Sequence, residues 1–211
     1  MSVMRTPLVR HEGVAAPLLR DNIDTDQIIP SREMKKVDSS GLGEGLFAGW
    51  RYRAPQDRAP NPDFILNRPV YDGATILLSG ANFGCGSSRE HAVWALREYG
   101  FRCIIAVSFG SIFQGNCARN GILPITLKRE EVEEIARHVE ADPAAHHVIV
   151  DLRNECVELT GQSADYGFSV DPYDKRLLLH GADPIDLTLQ NKPAIEAFLT
   201  DDRQNRPWIY A

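Results

Sequence analysis

Ser87, Ser88 and Arg89 stand together in the run Gly84-Cys85-Gly86-Ser87-Ser88-Arg89-Glu90-His91. An apolar stretch, Thr75 to Ser79, precedes it and an amphipathic stretch, Ala92 to Tyr99, follows. That order predicts a buried strand turning into a helix. A helix N-terminus has unpaired N–H groups and the positive end of a dipole, so it attracts anions. Arg89 adds a fork of donors shaped for a carboxylate. Glycines at 84 and 86 let the backbone approach a ligand closely. The chemistry on offer is a small-anion pocket with a hydroxyl at its edge. Three other readings fit the same residues. Ser87 with Glu90 matches a capping box. Gly84-Cys85-Gly86 opens a dinucleotide fingerprint, but Arg89 stands where its third glycine belongs. Cys85 with His91 makes a thiol pair with no evident orienting group.

A second polar cluster, Asp21-Asn22-Ile23-Asp24-Thr25-Asp26, runs into Gln27-Ile28-Ile29-Pro30. Three aspartates this close fit a solvated turn or one wall of a polar site.

The elements that must hold these clusters follow from periodicity. A strand over 74–79, a helix over 88–98 ending at Gly100, and a doubly buried strand at Cys103-Ile104-Ile105-Ala106-Val107 form a βαβ unit with parallel strands. A short helix near 109–118, a strand over 122–127 and a helix over 129–140 follow; Val132, Ile135, Ala136 and Val139 share the last helix's apolar face. Strands are expected within 3–19, around a turn at Glu12-Gly13, and near 147–151, 156–159 and 166–170. Helical runs near 173–179 and 192–199 make a C-terminal extension over 173–211. Residues 38–62, rich in glycine and proline, predict a long loop with a short helix near Leu46-Phe47, and Trp50 and Tyr52 as anchors or contacts. The expectation is mixed α/β, one domain over 1–211, with a parallel core and an antiparallel addition.

Composition excludes several classes. A net charge of −6 argues against a nucleic-acid or anionic-membrane surface. No apolar run approaches the ~20 residues of a membrane span, and the first residues lack a secretory pattern, so a cytoplasmic location is expected. Cys85, Cys103, Cys117 and Cys156 form no C-x-x-C pair, and His146-His147 lacks metal-ligand spacing; no metal site is expected on this chain.

The Asp21–Pro30 segment, the run Asn82 to His91, and Ser108-Phe109 through Asn120-Gly121-Ile122-Leu123-Pro124 occur in an order and spacing that resemble the small subunits of 3-isopropylmalate dehydratase. Leu46-Phe47, Trp50-Arg51-Tyr52, Pro62-Asp63-Phe64 and Gly181 to Leu189 extend the likeness over nearly the whole chain. The resemblance implies the swivelling β/β/α domain of the aconitase superfamily, with a mixed sheet around the parallel βαβ core. It implies a hydro-lyase of leucine biosynthesis that isomerises 2-isopropylmalate to 3-isopropylmalate by dehydration and rehydration. A large subunit would be the partner and would carry a [4Fe-4S] cluster, with no cofactor on this chain. Matched to the family motif, Ser87 would be the base, Arg89 and Ser88 would bind the substrate, and Thr25 and Asp26 would line the opposite wall. Glu90 and His91 would organise the turn. Departures point to a second expectation. Pro30-Ser31-Arg32-Glu33-Met34 places a glutamate where the family is similar to an aromatic, Val93 and Val107 replace prolines, and Pro17 stands where aconitase proper has an arginine. These fit a related hydro-lyase for citramalate, dimethylmalate or a homoaconitate-type acid. Outside enzymes, a non-catalytic anion-binding module is the alternative.

Overall fold

A computed structural model of the chain describes residues 6–34, 41–54 and 57–210. The expected α/β class is found, built on two four-stranded sheets. In the first, β2 (Ala15–Leu18), β3 (Ile76–Ser79), β4 (Cys103–Ala106) and β5 (Leu123–Thr126) lie side by side in chain order, all parallel. In the second, β1 (Arg10–Gly13), β6 (Val148–Asp151), β7 (Cys156–Leu159) and β8 (Asp165–Gly167) pair antiparallel. The antiparallel strands thus form a sheet of their own. β1 and β2 do not pair as a hairpin, because the chain crosses from one sheet to the other at Val14. Pro17 and Pro124 lie on the two edge strands of the parallel sheet, where a missing N–H disturbs the ladder least.

The helices are α1 (Thr25–Ile28), α2 (Ala48–Arg51), α3 (His91–Tyr99), α4 (Ser111–Arg119), α5 (Arg129–Ala141), α6 (Pro172–His180), α7 (Pro184–Leu189) and α8 (Lys192–Asn205). β3 and β4 are buried along their whole length, as apolar runs covered on both faces must be. α5 buries the four residues its periodicity predicts. α3 ends where Gly100 adopts φ +123° and its N–H reaches back to Leu96 and Arg97.

The glycine-rich segment is less open than its composition suggests. Leu42, Leu46, Phe47 and Ala48 are buried. Trp50 stacks on Phe47 at 5.8 Å and packs against the core, with the Arg20 guanidinium 4.7 Å from its ring. The anchoring role expected of Trp50 is therefore met. Residues 35–40 and 55–56 of this neighbourhood lie outside the described residues. Among the described residues, no helix is long and apolar enough to cross a membrane.

Candidate active site

Every strand of the parallel sheet delivers a polar or glycine-bearing segment at its carboxyl end, the edge where open α/β sheets bind ligands. After β2 comes Asp21–Asp26, after β3 Gly80–Glu90, after β4 Ser108–Gly110, and after β5 Lys128 and Arg129.

The first three segments continue the ladder beyond the sheet. Asp24 bridges Cys85 and Phe83 bridges Phe109, both in parallel sense. The Gly84 N–H donates to the Ile23 carbonyl at 2.7 Å, and the Thr25 N–H to the Cys85 carbonyl at 3.0 Å. The Gly110 N–H donates to the Phe83 carbonyl at 2.9 Å, and the Asn82 N–H to Ser108 Oγ at 2.8 Å. Below them Phe83 and Phe113 pack edge to face at 5.3 Å, and Phe109 stacks on Phe113. This aromatic floor makes the polar segments rigid.

The floor also explains Gly84. Its φ is +72°, and a Cβ there would lie 2.2 Å from the Phe113 ring. Left-handed strain and overpacking each cost about 1–3 kcal/mol. Gly84→Ala should therefore destabilise the chain by about 3 kcal/mol and lower the melting temperature by roughly 6–12 °C. A melting curve superimposable on that of the wild-type chain would refute this account of the turn.

Asp21 clamps the rim. Its carboxylate accepts from the Ala81 N–H at 2.7 Å, and Arg129 Nη2 lies 3.0 Å from both of its oxygens. The Ala81 bond first, then Arg129, hold its carboxyl below the usual carboxylate range. A depressed folded pKa means the clamp is present at neutral pH and lost as the pH falls through that depressed value. An NMR titration of Asp21 should show a midpoint below the ordinary aspartate value of 3.8. A midpoint at or above that value would contradict the clamp.

Ser87 and Ser88 are exposed, four and three residues ahead of His91, which starts α3. The helix begins later than 88, and Glu90, with φ −66°, holds the N-cap position without any side-chain cap bond. Ser87 is thus not the cap. Left-handed Gly84 and Gly86 turn the chain just ahead of the two serines. Glu90 is engaged elsewhere: its Oε1 accepts from Asn120 Nδ2 at 2.7 Å, while Asn120 Oδ1 accepts from Trp94 Nε1 at 3.1 Å. Within the described residues, the N–H groups of Gly86, Ser87, Ser88 and Arg89 donate to no acceptor, and the hydroxyls of Ser87 and Ser88 make no hydrogen bond. Four consecutive N–H groups without an acceptor among the described residues, beside a free hydroxyl, are available to an anion.

Arg89 reaches across this turn and bonds Asp26 Oδ1. Thr25 is almost wholly buried, and its Oγ1 lies 3.7 Å from where a Gly86 Cβ would be; it packs against the turn, while Asp26 faces solvent. All five residues singled out in the sequence are therefore gathered around one turn. His91 lays its ring against Trp94 at 4.9 Å and makes no bond to Cys85, which removes the thiol-pair reading.

A depression of about 460 Å³ opens beside Ser87. Its near wall is Asn82 and Gly84–Ser87; its far wall is Phe109–Phe113. The far wall was missed as a site wall in the sequence because its residues carry little polar chemistry. The usable signal was topological, since they follow β4 at the same sheet edge.

Residues 5–130 match the aconitase C-terminal domain family. A 3-isopropylmalate dehydratase small subunit from Cupriavidus necator is 58% identical over 205 residues, covering 97% of this chain and 98% of the relative. The chain belongs to the family of 3-isopropylmalate dehydratase small subunits. A second small subunit of that family, from Rhodopseudomonas palustris (strain TIE-1), is 46% identical over 198 residues, 93% of this chain and 96% of the relative. The crystal structure of a 3-isopropylmalate dehydratase from Methanocaldococcus jannaschii superposes with a TM-score of 0.64 at 25% identity, covering 90% of this chain and 98% of that one.

For a small subunit of this family, Glu33 is the departure that needs explaining. Its carboxylate is not left to face an apolar group. Arg58 Nη2 lies 2.6 Å from one oxygen and Arg32 Nε 3.3 Å from the other. Its side chain is only 10% exposed and its Cβ packs over Gly45. Two guanidinium groups offset the charge, so Glu33 reads as a tie between the segment after Pro30 and the segment around Arg58.

Proposed function

We propose that this chain is the small subunit of a cytoplasmic hydro-lyase that isomerises 2-isopropylmalate to 3-isopropylmalate in leucine biosynthesis, acting with an iron–sulfur large subunit. The observation that carries this reading is the turn at 86–89, where a serine hydroxyl and four N–H groups have no acceptor among the described residues and the Arg89 guanidinium is paired with Asp26.

A hydroxy dicarboxylate needs a grip for its carboxylate and a base for a carbon-bound proton. Arg89 supplies the grip. Asp26 holds the guanidinium extended over the turn, and an incoming carboxylate takes the fork in its place or beside it. Ser88 adds a hydrogen bond, and Thr25 stiffens the turn from behind. Ser87 takes the proton from the carbon adjacent to the hydroxyl-bearing one. A serine hydroxyl is a weak acid, so its oxyanion must be stabilised, and the N–H groups of the turn together with Arg89 are the donors for that. Loss of the hydroxyl gives the alkene diacid. Water then returns with its hydroxyl on the neighbouring carbon, and Ser87 gives its proton to the other.

The iron–sulfur Lewis acid that the fold family implies does not fit the residues of this chain. Cys103 and Cys117 are fully buried and desolvation pushes both thiols up, Cys103 to about 12. No group of three or more His, Cys, Asp or Glu among the described residues is placed to hold a metal ion. We assign the cluster to the large subunit.

With Glu33 paired to Arg58 and Arg32, its charge no longer counts against the isopropyl substrate relative to citramalate, dimethylmalate or a homoaconitate-type acid. With the assembled enzyme, kcat/KM for 2-isopropylmalate should exceed that for each of the other three by at least about tenfold, the discrimination that a few buried methyl groups provide. Faster turnover of any of the three would replace this assignment.

A further inference from the structure

Exposed apolar surface is concentrated at one end of the chain. Of the twelve large apolar side chains that the described residues leave exposed, seven lie between 185 and 210. Trp208 is 71% exposed and Phe198 61%, with Ile185, Leu189 and Ile209 also more than half exposed. Three are aromatic, worth about 150–250 Å² each when fully covered; with the four aliphatic side chains the exposed total is on the order of 700 Å², close to the ~800 Å² each partner gives to a standard interface.

This segment is not loose. α8 runs for 14 residues, yet the one residue it buries is Asp202. Helices of that length are marginal on their own in water. The Asp202 carboxylate accepts from Arg206 Nε at 2.5 Å and from Tyr210 Oη at 2.6 Å. The Arg203 guanidinium lies 5.4 Å from the Tyr210 ring. Polar bonds thus fold the 207–209 turn back onto α8 and hold Trp208 and Ile209 outward. An ordered, aromatic, uncovered surface is what an interface anchor looks like before its partner arrives.

The occupant is set by continuity with the site. Ile112, 56% exposed, is part of the far wall of the depression beside Ser87 and lies on the first turn of α4. α6 packs along α4, and the chain passes from α6 directly through α7 into α8. α7 packs on α6 through Leu177, Ala182 and Leu187, so the helical layer that leads to the exposed surface begins beside the depression. We propose that the 185–210 surface is where the iron–sulfur large subunit docks, with Phe198 and Trp208 as its anchors. This inference rests on the function proposed above.

The test uses the full-length chain and the large subunit of the same organism, cluster-loaded without oxygen, with binding read by interferometry and complex mass by native mass spectrometry. The variants are Phe198→Ala/Trp208→Ala and, on a separate helix, Leu189→Asp, each checked for an unchanged melting temperature. The double variant should bind the large subunit about 100-fold more weakly, as loss of two anchors implies. Its activity should return when the large subunit is raised to saturation. Wild-type affinity in both folded variants would overturn the docking surface and leave the proposed function standing. Self-association of the chain that the variants abolish, with pairing to the large subunit unaffected, would give the surface to a second copy instead. Failure of the wild-type chain itself to pair would overturn both proposals.

Discussion

Ser87→Ala should lower turnover of the assembled enzyme by about 10⁴-fold, the upper end of what a positioned base contributes, and leave the fold untouched. The upper end is expected because the proton comes from carbon, which unassisted water is too weak a base to remove. The lack of a stability cost follows from the geometry. A capping serine replaced by alanine loses about 1 kcal/mol, but Ser87 is exposed, precedes the N-cap residue Glu90 and makes no hydrogen bond within the described residues. The change should stay within about 0.5 kcal/mol, as for other unconstrained surface positions. Substrate affinity should be nearly retained, because Arg89 and the N–H donors remain. Turnover within tenfold of wild type would remove Ser87 from the base role. A marked fall in melting temperature would restore a capping role that the structure denies it.

Arg89→Lys should raise KM by about 100-fold, since losing one or two charge-assisted bonds costs on the order of 2–3 kcal/mol. An ammonium keeps the charge but cannot span both carboxylate oxygens. The split between KM and kcat carries the information. Because Arg89 also helps stabilise the Ser87 oxyanion, kcat should fall as well; a loss confined to KM would leave Arg89 only the carboxylate grip. Asp26→Asn is the companion variant. It removes the charge that holds the guanidinium across the turn but not the guanidinium itself, so its loss should be nearer tenfold. Unchanged constants in Arg89→Lys would take the substrate carboxylate away from this residue.

How much of this was legible in the sequence depends on the range of the interactions. The parallel core was legible because Ile76 to Ser79 and Cys103 to Ala106 are short apolar runs with turn residues at their ends, and burial on both faces demands that. The face of α5 was legible from spacing alone. The start of α3 was not. Ser87-Ser88-Arg89-Glu90 satisfies the capping pattern, but Asn120, thirty residues away, takes the Glu90 carboxylate, and two left-handed glycines keep the serines out of the helix. The environment of Glu33 was hidden for the same reason, because Arg58 reaches it across 25 residues of sequence. α7 was overlooked although Asp183-Pro184 carries a cap signal, with the Asp183 side chain accepting from two N–H groups. α8 runs six residues past its expected end because Asp202 and Arg206 pair one turn apart. The five residues gathered at the turn could be named from the sequence because polar types cluster there and the family motif matches them; the Phe109–Phe113 wall, with Ser111 its one polar side chain, carries little such signal.

The most direct test of the account is hydration of isopropylmaleate, followed as loss of its alkene absorbance when this chain is mixed with the cluster-loaded large subunit in the absence of oxygen. Neither chain alone should act, and the mixture should turn over at a rate on the order of 10 s⁻¹, the usual scale for enzymes. An intact complex with an intact cluster that leaves isopropylmaleate unchanged would contradict it.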